Sequence, residues 1–221
     1  MKTHKNDALS VRFDEIAARL ASLYPEAICS LEHGGDAWRL LVMARLSAQC
    51  TDARVNIVSR ELFARFPSAS DMADAELSEL ETIVRPCGLY RMKSKDIKLL
   101  SQELIDRFDG KVPADMESLL SLPGVGRKIA NLILGDVYHI PGIVADTHCI
   151  RIAGRLGAYP EEMKSPQTAE KILSALVRPE LQTDLCHRFV IFGRDVCTAR
   201  SPKCTACPLS DICEHHTAEK E

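Results

Sequence analysis

The sequence predicts an all-α protein, and three observations predict it. Apolar residues recur with the 3.6-residue period of a helix. Caps and breakers stand where those stretches begin and end. No segment sustains the alternation of Val, Ile, Thr and Tyr that marks a half-buried strand. Asp52 to Phe66 sets Val55, Val58, Leu62 and Phe66 on one face, and Lys95 to Phe108 does the same with Ile97, Leu100, Leu104 and Phe108. Near the C-terminus, Leu185, Phe189, Phe192 and Val196 repeat the pattern. Thr51, Ser70 and Thr147 are the expected N-caps, and Ser165–Pro166 reads as an N-cap followed by proline at the first helical position. His139 to Ala145 comes nearest to strand alternation, and Pro141–Gly142 interrupts it.

Composition sets the limits. The 221 residues have room for one large domain or two small ones, and a chain of this size buries roughly 70% of its unfolded surface without staples. Apolar residues at 46% and charged residues at 27% are those of a globular protein and exclude wholesale disorder. No uninterrupted apolar run is long enough to span a bilayer, and the N-terminus, MKTHKNDALSVRFDE, has no apolar signal core, so secretion and organelle import are not expected. Net charge is −3, from 28 Lys and Arg against 31 Asp and Glu, which taken alone argues mildly against a nucleic-acid partner. The charge is unevenly spread. Asp71 to Glu81 is acidic. Arg85, Arg91, Lys93, Lys95 and Lys98 form one basic run, and Arg188, Arg194, Arg200 and Lys203 form another. Each run reads either as a solvated helix face or as a phosphate-binding stripe, with the segments around Lys93 and Arg200 lining one cleft.

Three motifs carry chemistry. The first is Cys197, Cys204, Cys207 and Cys213, with spacers of six, two and five residues. Four thiolates so close in sequence can wrap one metal centre, because soft iron or zinc takes sulfur ligands and short spacers close the coordination sphere. Zinc competes on ligand type, and the uneven spacers favour a 4Fe–4S cluster over paired zinc knuckles. In the absence of a secretory signal, the odd count of nine cysteines favours metal over disulfides. Cys29, Cys50, Cys87, Cys149 and Cys186 are scattered and read as small apolar residues.

The second motif is the string from Leu119 to Asn131, LLSLPGVGRKIAN. A helix is predicted to end near Ser121 and another to begin near Arg127, joined by a tight Pro-Gly-x-Gly turn. Glycines admit backbone angles closed to other residues and let N–H groups approach a ligand. Those groups, with the N-terminus of the next helix, make a ready anion site. Such a hairpin holds a DNA phosphate without reading bases. The third motif is Val144-Ala145-Asp146-Thr147-His148, where Asp146 leads into a helix from Thr147 to Leu156. An aspartate there is also an ordinary helix-start residue, since the helix dipole stabilises negative charge at that end.

Hairpin, aspartate and terminal four-cysteine loop, in that order and spacing, resemble the endonuclease III family of DNA glycosylases from about Asp14 to His215. Leu46-Ser47-Ala48-Gln49 and Gly88-Leu89-Tyr90 also match it. The resemblance implies a two-lobed helix-hairpin-helix glycosylase fold. Residues 30–140 would be a six-helix lobe holding the hairpin at 115–138. Residues 1–29 with 141–221 would be a cluster lobe, with the four-cysteine loop at 197–213. It implies Lys128 as the catalytic amine, Asp146 as the catalytic carboxylate and a 4Fe–4S cluster on Cys197, Cys204, Cys207 and Cys213. Gln49 and Leu89 would enter the DNA stack where a nucleotide is extruded, and Leu122, Gly124, Val125, Gly126, Arg127, His148, Arg151, Arg200 and Lys203 would also contact DNA.

The implied activity is removal of oxidised pyrimidines from duplex DNA, followed by lyase cleavage at the abasic site. The partner is double-stranded DNA carrying damaged pyrimidines or abasic sites. The protein is expected to be a monomer, cytoplasmic and nucleoid-associated, with no membrane contact. The residue types suit the chemistry. Extruding a nucleotide costs a few kcal/mol, which wedge side chains offset by filling the vacancy. Attack on C1′ needs a neutral amine, which the positive end of a helix and the neighbouring Arg127 favour for Lys128. Asp146 can accept a proton or stabilise positive charge on the sugar. Two alternatives share the hairpin and cluster. An adenine-removing relative is expected to lack the lysine and to carry a further C-terminal recognition domain. A non-catalytic iron–sulfur DNA-binding module would not need Lys128 and Asp146 together.

Overall fold

The structure, a computed structural model, describes residues 2–218, with side chains from 8 to 217. Its elements are α1 (Lys2–Leu23), α2 (Ala37–Leu46), α3 (Asp52–Arg65), α4 (Ala69–Asp74), α5 (Leu77–Val84), α6 (Tyr90–Phe108), α7 (Met116–Leu120), α8 (Arg127–Asp136), α9 (Thr147–Arg155), α10 (Pro166–Leu176), α11 (Gln182–Asp195) and α12 (Glu214–Ala218). Short 3-10 turns stand at Arg85–Cys87, Pro179–Leu181 and Cys204–Ala206. Among the described residues there is no strand, as the periodicity predicted. The chain divides into two compact units, Cys29–Ile140 and Met1–Ile28 with Pro141–Glu221.

The unit Cys29–Ile140 is built around α2. Trp38 and every residue from Leu40 to Leu46 are buried, so this helix is enclosed on all sides. It packs against α3, α6 and α8. Their inward faces supply Val55, Val58 and Leu62, then Ile97, Leu100 and Leu104, then Ala130, Ile133 and Leu134. Each such aliphatic side chain contributes about 1.5–3 kcal/mol by leaving water. Trp38 and Arg45, enclosed with them, have polar partners. Trp38 Nε1 donates to Ser101 Oγ at 3.2 Å, and the Arg45 guanidinium meets Asp96 Oδ2 at 2.6 Å.

In the other unit, Phe13, Ile16, Ala17 and Leu20 form the buried stripe of α1. This helix packs against α10 and α11, and α9 packs against α11. Leu185, Phe189 and Phe192 are buried as predicted.

Several sequence expectations are corrected. The N-cap of α4 is Ser68, not Ser70, because Ser68 forms a reciprocal capping box with Asp71. Asp146, not Thr147, caps α9. Helix α6 begins at Tyr90, a turn before the predicted Lys95. The largest correction concerns Lys93, which does not line a phosphate-binding stripe. It is fully buried, and its Nζ donates to the carbonyls of Leu46 and Cys87, each at 2.8 Å. Burial pushes its ammonium below the usual lysine range. Periodicity held the signal, since Lys93 falls one turn before Ile97 on the apolar face of α6. Arg188 leaves the second basic run for a similar reason. It is buried, with its guanidinium on Asp184 at 3.0 Å and on the Tyr24 carbonyl at 3.4 Å.

Replacing Lys93 by Met keeps the apolar stem but strips two enclosed carbonyls of their donor. At about 1–3 kcal/mol for each abandoned group, Lys93→Met should lower stability by about 2–4 kcal/mol, read from urea melts, whereas Lys95→Met, on an exposed side chain, should change it little.

Candidate functional site

The hairpin forms where the sequence places it. Asp115 caps α7 by accepting the Ser118 N–H at 2.8 Å, and the helix closes at Ser121. The turn then folds on itself, with Val125 N donating to the Leu122 carbonyl at 3.2 Å, and α8 starts at Arg127 with Gly126 as its N-cap. Leu122 and Val125 are buried in the core. Their side chains anchor the turn, so what it offers a ligand is backbone: the exposed Gly124 and Gly126 and the first-turn N–H groups of α8. Arg127 and Lys128 stand exposed in that same first turn.

Gly124 is held from beneath. Its φ is +72°, and a Cβ there would come within 2.5 Å of Arg45 Nε and 2.9 Å of Asp96 Oδ2. The buried Arg45–Asp96 pair is therefore the floor on which the turn rests. No local sequence pattern marks it, since the partners lie 51 residues apart.

Gln49 and Leu89 share an unusual backbone. Both are exposed non-glycine residues with positive φ, 55° and 48°. Such a conformation costs a bulky L residue free energy and is held only by its surroundings. Here the holding group is Lys93, whose ammonium joins the carbonyl of Leu46, where α2 ends, to that of Cys87, just before Gly88-Leu89. Next to Leu89, the Tyr90 ring has two guanidiniums near it, Arg85 at 5.4 Å and Arg91 at 5.5 Å from its centroid. The Leu89 tip thus sits in a positive setting.

Asp146 is half-buried and caps α9, its Oδ1 accepting the Cys149 N–H at 2.7 Å. The local role of a helix-start aspartate is real, and it fixes the carboxylate's orientation. Lys128 belongs to the unit Cys29–Ile140 and Asp146 to the other. His148 and Arg151 point towards α11. Arg151 Nη2 contacts His148 Nδ1 at 3.3 Å and donates to the carbonyls of Gly193 at 3.3 Å and Cys197 at 2.9 Å. Arg151 thereby ties α9 to the start of the cysteine loop. Arg200 and Lys203 are exposed on that loop, and Lys203 pairs with Asp195 at 3.4 Å.

Cys197, Cys204, Cys207 and Cys213 all line one pocket, together with Leu156, Phe192 and Leu209. Four thiols spread around an apolar chamber fit a cluster. Their surroundings supply donors, as Arg155 Nη1 reaches Cys197 Sγ at 3.3 Å and Leu209 N reaches Cys207 Sγ at 3.4 Å. Burial pushes the free thiols of Cys207 and Cys213 up, so iron binding must displace protons. Arg155 also donates to the Thr198 and Ala199 carbonyls. From α1, Arg19 reaches Asp211 at 2.6 Å and the Pro208 carbonyl at 3.2 Å, and Arg12 reaches Glu214 at 2.6 Å. The spacing of Arg151 and Arg155 by one helical turn was the available signal for this fastening.

A helix-hairpin-helix and a four-cysteine chamber define a base excision DNA repair protein of the HhH-GPD superfamily, which matches residues 42–179. The iron–sulfur binding domain of endonuclease III matches residues 197–213. The chain is 40% identical over 195 residues to endonuclease III of Bacillus subtilis, covering 88% of each, and 33% identical over 201 residues to that of Escherichia coli, covering 91% of this chain and 94% of the relative. A trapped endonuclease III–DNA covalent intermediate superposes with a TM-score of 0.89 at 37% identity, over 96% of this chain and 99% of that one. The chain belongs to the endonuclease III family.

Two results are expected. Protein purified without oxygen should be yellow-brown and hold iron and acid-labile sulfide, and stoichiometric zinc without iron would contradict the assignment. Gly124→Ala should cost more than about 1 kcal/mol, because the residue must keep a positive φ while its new methyl strikes Arg45. Thermal melts and duplex affinity should both fall.

Proposed function

We propose that Lys128 and Asp146 carry the two-step reaction of this enzyme. It is a base-excision DNA glycosylase for oxidised pyrimidines with associated AP lyase activity. The observation that carries the reading is the Lys128 amine, exposed in the first turn of α8 directly after the glycine turn that would hold a phosphate. The turn grips backbone, Gln49 and Leu89 fill the stack, and the extruded nucleotide meets the amine. Lys128 Nζ attacks C1′, the glycosidic bond breaks, and the base leaves with that electron pair and a proton. Asp146 offsets the positive charge on the sugar and accepts the proton the amine sheds. The C1′–O4′ bond then breaks, O4′ takes the proton held by Asp146, and the opened sugar remains joined to Lys128 as a protonated Schiff base. Loss of a C2′ proton then expels the 3′ phosphate oxygen and cuts the strand. The existence of a trapped covalent intermediate for a structural relative supports an enzyme-bound nucleophile.

The cluster would be held by Cys197, Cys204, Cys207 and Cys213. Its role is to order the loop bearing Arg200 and Lys203, which meet phosphates. The substrate is duplex DNA with damaged pyrimidines or abasic sites. The protein acts as a monomer at the nucleoid, in the cytoplasm, and no helix among the described residues is long and apolar enough to cross a membrane.

Borohydride added during turnover on an oxidised-pyrimidine duplex should leave a stable protein–DNA adduct. Lys128→Gln should abolish adduct and strand cleavage while duplex binding survives, and an adduct formed at the normal rate by that variant would place the nucleophile elsewhere. Asp146→Asn separates the two roles of that residue. Asparagine caps as well as aspartate, so the melting temperature should hold while base removal collapses. Asp146→Ala should lose the cap as well, at about 1 kcal/mol.

A further inference from the structure

We propose that Lys93 is a positioning residue for base extrusion: it presents Gln49 and Leu89 to the duplex as a preformed pair, so that the two tips are shaped on folding and not anew at each turnover. The proposal rests on the reading of Gln49 and Leu89 as the residues that enter DNA. Lys93 brackets Leu89 from both sides. Its ammonium donates to the Cys87 carbonyl at 2.8 Å, ahead of Leu89, and its backbone N–H donates to the Leu89 carbonyl itself at 3.0 Å. Between these bonds Gly88 and Leu89 both keep a positive φ, 68° and 48°.

The same ammonium reaches the base of the second tip. It donates at 2.8 Å to the carbonyl of Leu46, the last residue of α2, which has no further helical turn to accept from. A cation there also meets the negative end of the helix dipole. Directly beyond, the Cys50 N–H donates to the Ser47 carbonyl at 3.0 Å and closes a four-residue turn. Gln49 is third in that turn with a φ of 55°, a place that glycine usually fills. Two exposed bulky side chains thus stand on left-handed backbone, which persists only where the surroundings over-determine it. One enclosed cation grips the chain at the base of each.

Lys98, further along α6, supplies an internal comparison. Its ammonium likewise donates to two carbonyls, Ala73 at 2.7 Å and Ala75 at 2.6 Å, but these lie at the end of α4 and neither borders Gln49 or Leu89. Losing either lysine strands two carbonyls, and only the loss of Lys93 frees the tips. The two steps of the reaction also differ in what they ask of the tips. Base removal requires a paired, stacked nucleotide to leave the helix, whereas a preformed abasic site has no base to unpair. The tips therefore matter most for the first step.

The test compares, in cluster-containing protein, the single-turnover rate of base removal from an oxidised-pyrimidine duplex with the rate of strand cleavage on a preformed abasic duplex. Both rates come from one preparation, so partial unfolding cancels in their ratio. In Lys93→Met, base removal should fall about tenfold while abasic cleavage falls less than about threefold. The loss should shrink when the damaged pyrimidine faces a non-complementary base, since less pairing must then be broken. Lys93→Gln, which keeps two donors on a shorter stem, should shift the ratio the same way by a smaller factor, and it supplies the measurement if Lys93→Met does not fold. Lys98→Met should lower stability and leave the ratio unchanged. Equal losses in both steps for the Lys93 variants, or the same change of ratio in Lys98→Met, would overturn the proposal. Gln49→Ala and Leu89→Ala test the DNA-entry reading separately. A normal ratio in both would sink that reading, whereas a lowered ratio in either, with a normal one in the Lys93 variants, would sink the role of Lys93 alone.

Discussion

One buried ammonium holds together the end of the unit Cys29–Ile140 that carries Gln49 and Leu89. Lys93 has no exposed surface, yet it satisfies two carbonyls that end separate stretches of chain, one after α2 and one before Gly88-Leu89. A charge in that position is costly to bury unless its donors are used. Here they are, and the gain is geometric. Gln49 and Leu89 both occupy left-handed backbone that bulky residues avoid, and both follow directly from the segments that Lys93 grips. The exposed tips are strained because their bases are fixed.

The remaining polar groups in the interior follow the same logic. Arg45 is buried against Asp96, and the pair floors Gly124, which has no side chain to obstruct it. Arg151 and Arg155 turn their guanidiniums towards carbonyls at the start of the cysteine loop instead of towards solvent. Lys93, Arg151 and Arg155 satisfy backbone carbonyls and Arg45 a carboxylate, each with several donors on one cation. Loops in this protein are therefore positioned by buried cations, and the helices supply the frame from which those cations reach.

A protein with an acidic total can still gather positive charge locally. The net charge of −3 is a sum over the whole surface. Arg85 and Arg91 flank Tyr90 beside Leu89, and Arg127 and Lys128 open α8. Local arrangement sets the field near a ligand, and the acidic stretch Asp71 to Glu81 lies on α4 and α5, away from the glycine turn in sequence. Several basic residues counted from the sequence are not available to phosphates at all, because Lys93 and Arg188 are internal.

The sequence by itself determined the helices, the hairpin and the four-cysteine chamber. These depend on neighbours within a few residues: a 3.6-residue period, a capping side chain, a glycine turn, closely spaced thiols. Asp146 was legible both as a cap and as a candidate carboxylate because both roles sit at a helix start. Tertiary structure decided which charges face water. Lys93, Arg45 and Arg151 look like surface residues among charged neighbours, and only packing against chain up to 51 residues away shows where their donors go. Local pattern fixes secondary structure because its hydrogen bonds are local, whereas the partner of a buried charge is whatever the folded core brings beside it.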